Sequence, residues 1–180
     1  EINAKDKNLE MTVDIDDDVP DIVISDSVRL KQVLINILSN SIKFTKKGSV
    51  KLIVTCENKT ENNCNILFKI IDTGIGVSHD IAEKIFDYFS DSENDYFSEN
   101  DGIGIGLSIS RLIVNLLKGK IWIENNDEAE SGTIMNVKIK FNIFNTNIDE
   151  NVIKDYFYNN KMLSLNNDIK GRINTIKIFS

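Results

Sequence analysis

The chain has 180 residues, of which 41% are hydrophobic and 27% charged, a size that suits one compact domain with a tail rather than two full domains. Its formal net charge is −7, and no basic stripe interleaved with aromatic residues occurs, so a nucleic acid is not expected as a partner. The two cysteines and one histidine do not form a zinc-ligand set, and no apolar run suits a membrane span or secretory signal. These features predict a soluble, cytoplasmic piece of a longer protein. They are compatible with a parent protein that is anchored in a membrane.

The first third of the chain predicts two short strands followed by a long helix. Residues 9–15 alternate between apolar and polar side chains until acidic residues and Pro20 interrupt them, and residues 22–24 resemble a second strand. From Asp26 the apolar residues recur at helical spacing, with Ser and Asp available as N-caps and Gly48 shortly after the end. The apolar positions of this predicted helix are Leu30, Val33, Leu34, Ile37, Leu38 and Ile42.

The middle of the chain predicts a pair of strands, a short helix and a loop. Residues 50–56 and 66–71 are rich in β-branched side chains and flank a polar stretch, which is typical of neighbouring strands. Ser78 begins a predicted helix. Residues 87–101 are mostly polar and acidic, and their apolar residues follow neither helical nor strand spacing, which predicts a mobile loop.

The last elements complete a two-layer domain. A glycine-spaced run at residues 102–106 leads into another predicted helix, and residues 120–124 and 133–141 predict a hairpin. Helices that arrive between pairs of strands are typical of an α/β (α+β) two-layer sandwich, with a mixed β-sheet covered on one face by three helices. We place this domain at residues 1–141 and treat the Asn-rich residues 142–180 as a C-terminal linker or extension with one amphipathic helix.

The first helix carries a polar stripe that has two interpretations. A rotation of about 100° per residue aligns Arg29, Gln32, Asn36, Asn40 and Lys43 opposite the apolar arc. Asparagine is a mediocre helix former, so two of them within one turn are a local penalty. The stripe is either an ordinary solvated face, or its amide oxygens coordinate a magnesium ion held by phosphates while the lysine contacts a phosphate.

Two glycine-containing segments also have both a plain and a functional interpretation. Asp72 ends a buried apolar strand and is followed at once by Gly74 and Gly76, which suits either a plain turn or a carboxylate that accepts from an adenine amine. The run with Gly102 and Gly104 opens onto a helix N-terminus, where a phosphate anion is favoured, although a hinge needs the same residues. Its spacing matches neither the dinucleotide fingerprint nor a P-loop.

Together, in this order, the segments resemble the conserved boxes of histidine kinases. Residues 36–45 look like the N box, 72–76 like the G1 box, 86–89 like the F box and 102–107 like the G2 box, and Gly132-Thr133 resembles the last glycine-threonine element. The resemblance covers roughly residues 1–141 and extends to eukaryotic hybrid sensor kinases. It implies the Bergerat-type ATP-binding fold that gyrase, a major heat-shock chaperone and mismatch-repair ATPases share.

The resemblance also implies a role for each matched residue, with ATP and Mg²⁺ as the cofactors. Asn40, with Asn36 nearby, would hold the metal, Lys43 would contact a phosphate, and these three form the catalytic set. Asp72 would accept from the adenine amine. The remaining implied nucleotide contacts are Phe44 at the adenine, Thr133 in support of Asp72, Gly74 and Gly76 in the G1 box, and Gly102, Ile103, Gly104, Ile105, Gly106 and Leu107 in the G2 box.

One position favours phosphotransfer over hydrolysis. Water-hydrolysing members of the superfamily carry a glutamate as general base where Asn36 stands, and a neutral amide cannot take a proton from water. His79 is expected to be a surface residue rather than the acceptor. The resemblance implies that the acceptor histidine lies on dimerisation helices preceding Glu1, that the isolated domain has little activity, that a response-regulator receiver domain is a further partner, and that this domain makes no membrane contact.

Departures from the family pattern motivate two other hypotheses. Ile103 and Ile105 stand where the G2 box usually has threonine and leucine, and the acidic residues 90–101 would repel phosphates. A degenerate nucleotide-binding module without transfer activity is therefore the second hypothesis. A gyrase-type ATPase is the third.

Overall fold

The computed structural model describes residues 7–82, 85–86, 105–126, 131–143, 162–166 and 175–178, with backbone only at 79–80, 105, 125, 162–166 and 175–178. Eight strands and three helices lie in these segments. In chain order they are β1 Glu10–Ile15, β2 Ile22–Ile24, α1 Ser27–Phe44, β3 Ser49–Glu57, β4 Asn63–Asp72, α2 His79–Ala82, α3 Ile105–Leu116, β5 Lys120–Asn125, β6 Thr133–Ile143, β7 Met162–Asn166 and β8 Thr175–Ile178.

The strands form one mixed sheet in the order β1-β3-β4-β6-β2-β7-β8, and β5 also pairs with β6. β1 runs parallel to β3, whereas β4 pairs antiparallel with both β3 and β6. One edge of β6 is shared, because β5 pairs with its first half and β2 pairs with its end. The predicted two-layer α/β architecture with a mixed sheet is confirmed, whereas the strand order could not be read from local patterns.

The core lies between the sheet and the helices. Phe68 of β4 and Phe141 of β6 are almost fully buried and meet edge to face with ring centroids 6.4 Å apart. The buried apolar face of α1 packs into the same core cluster, as do Ile113 and Val114 of α3. One face of α1 is thus buried, as the helical spacing of its apolar residues predicted.

Helix α1 begins and ends at residues with identifiable caps. The Asp26 side chain is the N-cap and accepts a hydrogen bond from the Arg29 backbone N–H at 3.2 Å, which selects one of the predicted candidates. At the other end the Thr45 N–H donates to the Ser41 carbonyl at 3.1 Å and closes the last turn. Gly48 follows with φ +115°, a conformation that favours glycine.

The C-terminal residues contribute more regular structure than local patterns indicated. β6 continues to Ile143, β7 pairs antiparallel with β2, and β8 pairs with β7. The extension predicted at 142–180 therefore contains two strands of the same sheet. The predicted amphipathic helix near residues 152–157 and the predicted loop at 87–101 lie outside the described residues.

The helix predicted from Ser78 is short where the structure describes it. Four residues, His79–Ala82, are helical, and the Ser78 carbonyl accepts from the Ile81 and Ala82 N–H groups at 3.0 and 2.9 Å. His79 is thus the first residue of α2. Among the described residues, no helix is long and apolar enough to span a membrane.

The two cysteines are free thiols, and the structure predicts that one of them is unreactive. Cys56 pairs with Ile66 across the β3–β4 ladder, so the two cysteines are not directly opposite each other. Cys64 is fully buried, and burial with Cys56 nearby raises the pKa of its thiol to about 12. We expect a disulfide-exchange reagent at pH ~8 to leave Cys64 unmodified in the folded chain and to modify both thiols in denaturant. Rapid modification of Cys64 in the folded chain would contradict this.

Candidate functional site

The carboxylate of Asp72 is buried and accepts three hydrogen bonds. It stands at the end of β4 with 6% of its surface exposed. The Ser41 hydroxyl donates to one oxygen at 2.9 Å, and the backbone N–H groups of Gly74 and Thr133 donate to the other at 3.0 and 3.2 Å. Three elements, α1, the turn after β4 and the start of β6, therefore hold one carboxylate.

Burial raises the pKa of Asp72 above its ordinary value, because desolvation outweighs the hydrogen bonds from Gly74, Ser41 and Thr133 that lower it. A carboxylate has about four lone-pair sites, and three donors reach this one. The group is thus a fixed acceptor with capacity for one more donor. Such an acceptor suits a ligand N–H group.

The turn around Asp72 leaves little room for side chains. Gly132 has φ +140°, and a Cβ there would lie 2.1 Å from the Asp72 carbonyl oxygen. The same carbonyl accepts from the Asn126 amide at 3.2 Å, and the Ser131 hydroxyl donates to the Gly74 carbonyl at 2.8 Å. The turn that follows β4 and the residues that lead into β6 are therefore closely packed and joined by hydrogen bonds.

Thr73 connects the same turn to the loop after α1. Its hydroxyl accepts from the Ser49 N–H at 3.0 Å, and a Cβ on Gly48 would lie 2.1 Å from that hydroxyl. Gly76, farther along, has φ +73° and approaches the backbone of Gly132. Gly48, Gly76 and Gly132 therefore allow close backbone approach around the aspartate.

The C-terminal end of α1 brings a cation and an aromatic ring to this turn. The Lys43 ammonium lies 5.0 Å from the centroid of the Phe44 ring, and Phe44 is 42% exposed. The Phe44 carbonyl is 2.8 Å from the position a Cβ on Gly74 would take. Asn40 is half-buried one turn earlier on the same helix. The polar stripe and the Asp72 turn are thus adjacent.

The start of α3 reaches the same stripe. The Asn36 amide donates to the Ser110 hydroxyl at 2.9 Å, and a Cβ on Gly106 would lie 2.3 Å from the Asn36 amide oxygen. Leu107 is half-buried against the core. Gly102, Ile103, Gly104 and the side chains of Ile105 and His79 lie outside the described residues. Among the described residues, α1 therefore contacts both the Asp72 turn and the start of α3.

Several residues of this site did not stand out in the sequence. Ser41, Asn126 and Ser110 are buried polar residues that hold Asp72 or Asn36. Ser41 offered a signal, because it is polar at a position where the helical period expects a core residue. Asn126 and Ser110 offered none, since their partners are 54 and 74 residues away.

Comparison with known proteins agrees with this geometry. The sequence model of the family described as "Histidine kinase-, DNA gyrase B-, and HSP90-like ATPase" matches residues 25–143. The chain belongs to this family. Among curated relatives it is 34% identical over 137 residues to hybrid signal transduction histidine kinase K of Dictyostelium discoideum, and 31% identical over 140 residues to signal transduction histidine-protein kinase BarA of Escherichia coli (strain K12).

These matches cover 72% and 78% of the chain but only 11% and 15% of the two relatives, so the chain spans a small part of the proteins it resembles. Among solved structures, full-length ShkA in complex with AMPPNP superposes with a TM-score of 0.64 at 26% identity over 81% of this chain and 28% of that one. The catalytic domain of histidine kinase ThkA superposes with a TM-score of 0.56 at 28% identity over 76% of this chain and 82% of that domain.

Proposed function

We propose that this chain is the ATP-binding catalytic domain of a sensor histidine kinase, which transfers the γ-phosphate of ATP to a histidine on a separate dimerisation domain. The observation that carries the proposal is that α1 contacts both of the other segments, Asp72 through Ser41 and Gly106 through Asn36. Membership of the family supports it, as do relatives that are named histidine kinases and a structural neighbour that binds AMPPNP.

In this proposal Asp72 accepts a hydrogen bond from the adenine amine. The buried carboxylate is already oriented by Ser41, Gly74 and Thr133, so it makes that contact without reorganisation. The exposed Phe44 ring at the end of α1 offers an apolar surface for the base. The N-terminus of α3, with the glycine run that leads into it, supplies N–H groups for the phosphates.

The metal in this proposal is Mg²⁺, held by phosphate oxygens together with the amide oxygens of Asn40 and Asn36. Amide oxygens are neutral, hard donors that suit Mg²⁺ when phosphate oxygens supply the negative charge. The bound metal would neutralise the charge that develops on the transferred phosphoryl group. Lys43 adds a positive charge at the same end of α1.

Transfer rather than hydrolysis is supported by the chemistry of Asn36. Its amide nitrogen donates to the Ser110 hydroxyl, and an amide has no basic group that could activate water. Catalysis then consists of positioning and charge neutralisation, which phosphoryl transfer mainly requires. In a gyrase-type ATPase, the isolated domain would instead hydrolyse ATP and release phosphate.

The partners in this proposal are the upstream phosphoacceptor helices and, after them, a response-regulator receiver domain in a cytoplasmic two-component system. Helix α3 presents Ile109, Leu112 and Leu116 to solvent with exposures of 38%, 58% and 67%. Their spacing of three and four residues puts them on one face. An exposed apolar face on a helix suits docking against other amphipathic helices.

The test is Asn40→Ala in a chain that includes the upstream helices. We expect the parent to form acid-labile phosphohistidine with Mg²⁺ and ATP, and the variant to lose at least about 100-fold of that rate because the metal loses a ligand. The Mg²⁺-dependent tightening of AMPPNP binding should disappear with it. Both are measured by radiolabel transfer and titration calorimetry.

Asn115→Ala is the matched control, because Asn115 is an exposed asparagine on α3. It should transfer phosphate at the parent rate. Mg²⁺-independent nucleotide binding without phosphohistidine in the parent would refute transfer and support a degenerate nucleotide-binding module. Steady phosphate release by the isolated domain would support the gyrase-type alternative instead.

A further inference from the structure

The ammonium group of Lys7 caps the C-terminal end of α1. It donates to the backbone carbonyls of Ile42, Lys43 and Thr45 at 2.8, 2.7 and 3.1 Å. An ammonium has three donors, so all of them are used on this one helix end. The last carbonyls of a helix lack intrahelical partners, and a cation there also interacts favourably with the helix dipole.

The helix end that Lys7 caps belongs to the nucleotide site. Its last turn is closed by the Thr45 N–H bond to the Ser41 carbonyl, and the Ser41 hydroxyl holds Asp72. The same turn carries the Lys43–Phe44 pair, and the Phe44 carbonyl lies against Gly74. A loosened last turn would therefore disturb the phosphate-side cation, the aromatic ring and the support of the adenine-side carboxylate together.

Lys7 lies in the short segment before β1, residues 7–9. The backbone of this segment is held at the edge of the sheet by contacts other than those of the Lys7 ammonium. The Glu10 N–H donates to the Gly48 carbonyl at 3.0 Å, Glu10 pairs with Ser49 in the parallel ladder, and Leu9 is buried. The backbone next to Lys7 is thus held at the sheet edge by contacts separate from the bonds that its ammonium makes to α1. A displacement of the segment before β1 would withdraw the cap from the nucleotide-binding end of the helix.

We propose that Lys7 is a positioning residue for nucleotide binding, through which the segment before β1 controls the order of the Lys43–Thr45 turn. This rests on the proposed function of the site. Without the cap the last turn frays, and a nucleotide must order that turn before it gains its contacts. The cost then appears as weaker nucleotide affinity rather than only as lower stability of the fold.

The experiment is Lys7→Met in the full chain, with AMPPNP and Mg²⁺ titrated well below the melting temperature of each variant. We expect affinity to fall about tenfold, as the loss of charge-assisted hydrogen bonds to ordered carbonyls predicts. Lys7→Arg, which keeps a cation with several donors, should recover most of the loss. Lys47→Met, which removes an exposed lysine just after the same helix, should bind as the parent does.

A second readout does not depend on nucleotide. Hydrogen exchange at the Thr45 amide should be at least about fivefold faster in Lys7→Met than in the parent and in Lys47→Met, because that amide closes the capped turn. Unchanged affinity in Lys7→Met, even with a lower melting temperature, would overturn the proposal and leave a purely structural cap. If the parent binds no nucleotide, the proposed function fails, and unchanged exchange at Thr45 would refute the Lys7 contact separately.

Discussion

Replacing Asp72 with asparagine is expected to weaken nucleotide binding strongly while leaving the apo chain no less stable at neutral pH. Asparagine has nearly the same shape, and its amide oxygen can still accept from the Gly74 and Thr133 N–H groups. The adenine amine, however, would lose a charged acceptor and meet an amide donor. Hydrogen bonds to charged groups contribute about 1.5–3 kcal/mol, so affinity should fall about 10- to 150-fold.

The stability of the same variant follows from the pKa of Asp72. Burial raises that pKa above the unfolded value of 3.8, so the folded state holds the proton more tightly than the unfolded state. Stability contributed by this group therefore falls as pH rises from the unfolded pKa through the raised folded pKa, and the cost of ionisation is fully present above that window. Asp72→Asn removes this pH dependence.

Urea unfolding of parent and variant from pH ~4 to ~7, together with AMPPNP titration, measures both effects. The stability difference between Asp72→Asn and the parent should shift in favour of the variant as pH rises. Asp14→Asn is the control, because Asp14 is an exposed residue of β1 whose side chain is 61% accessible. A variant that binds AMPPNP as well as the parent would remove Asp72 from the adenine site.

Replacing Gly132 with alanine is expected to destabilise the fold by about 2–6 kcal/mol and to weaken nucleotide binding as well. The added Cβ would lie 2.1 Å from the Asp72 carbonyl oxygen, and φ +140° is unfavourable for an L side chain. Overpacking costs about 1–3 kcal/mol and a residue in a sparsely populated backbone region about 1–3 kcal/mol more. Relief of the clash would move the Thr133 N–H away from the Asp72 carboxylate.

Chemical denaturation measures the loss of stability, and AMPPNP titration of the fraction that stays folded measures the loss at the site. The neighbouring Ser131→Ala removes only the hydroxyl that donates to the Gly74 carbonyl, so it should cost about 1 kcal/mol. A Gly132→Ala chain as stable as Ser131→Ala would mean that the turn relaxes freely and does not position Asp72.

The elements of the domain were predictable where one periodic pattern dominates. α1 begins at Ser27 and ends at Phe44, close to the predicted positions, because its apolar period, cap residue and following glycine all agree. β3, β4 and β6 extend the predicted strands by one to three residues at their ends. The strands in the C-terminal extension were not predicted, because β7 depends on pairing with β2, and a partner across the sheet leaves no local signature.

The candidate site residues Asn36, Asn40 and Asp72 and the glycines could also be predicted, because each is recognised within its own short segment. The contacts that bring these segments together could not be predicted. Ser41 reaches Asp72 across 31 residues, Ser110 reaches Asn36 across 74, and Lys7 reaches three carbonyls across 35 to 38. Residue type and helical period are local properties, so the candidate nucleotide contacts could be predicted from short segments of the chain. The groups that hold these residues became visible only in the folded chain, because hydrogen-bond partners distant in sequence become neighbours only when the sheet and helices pack.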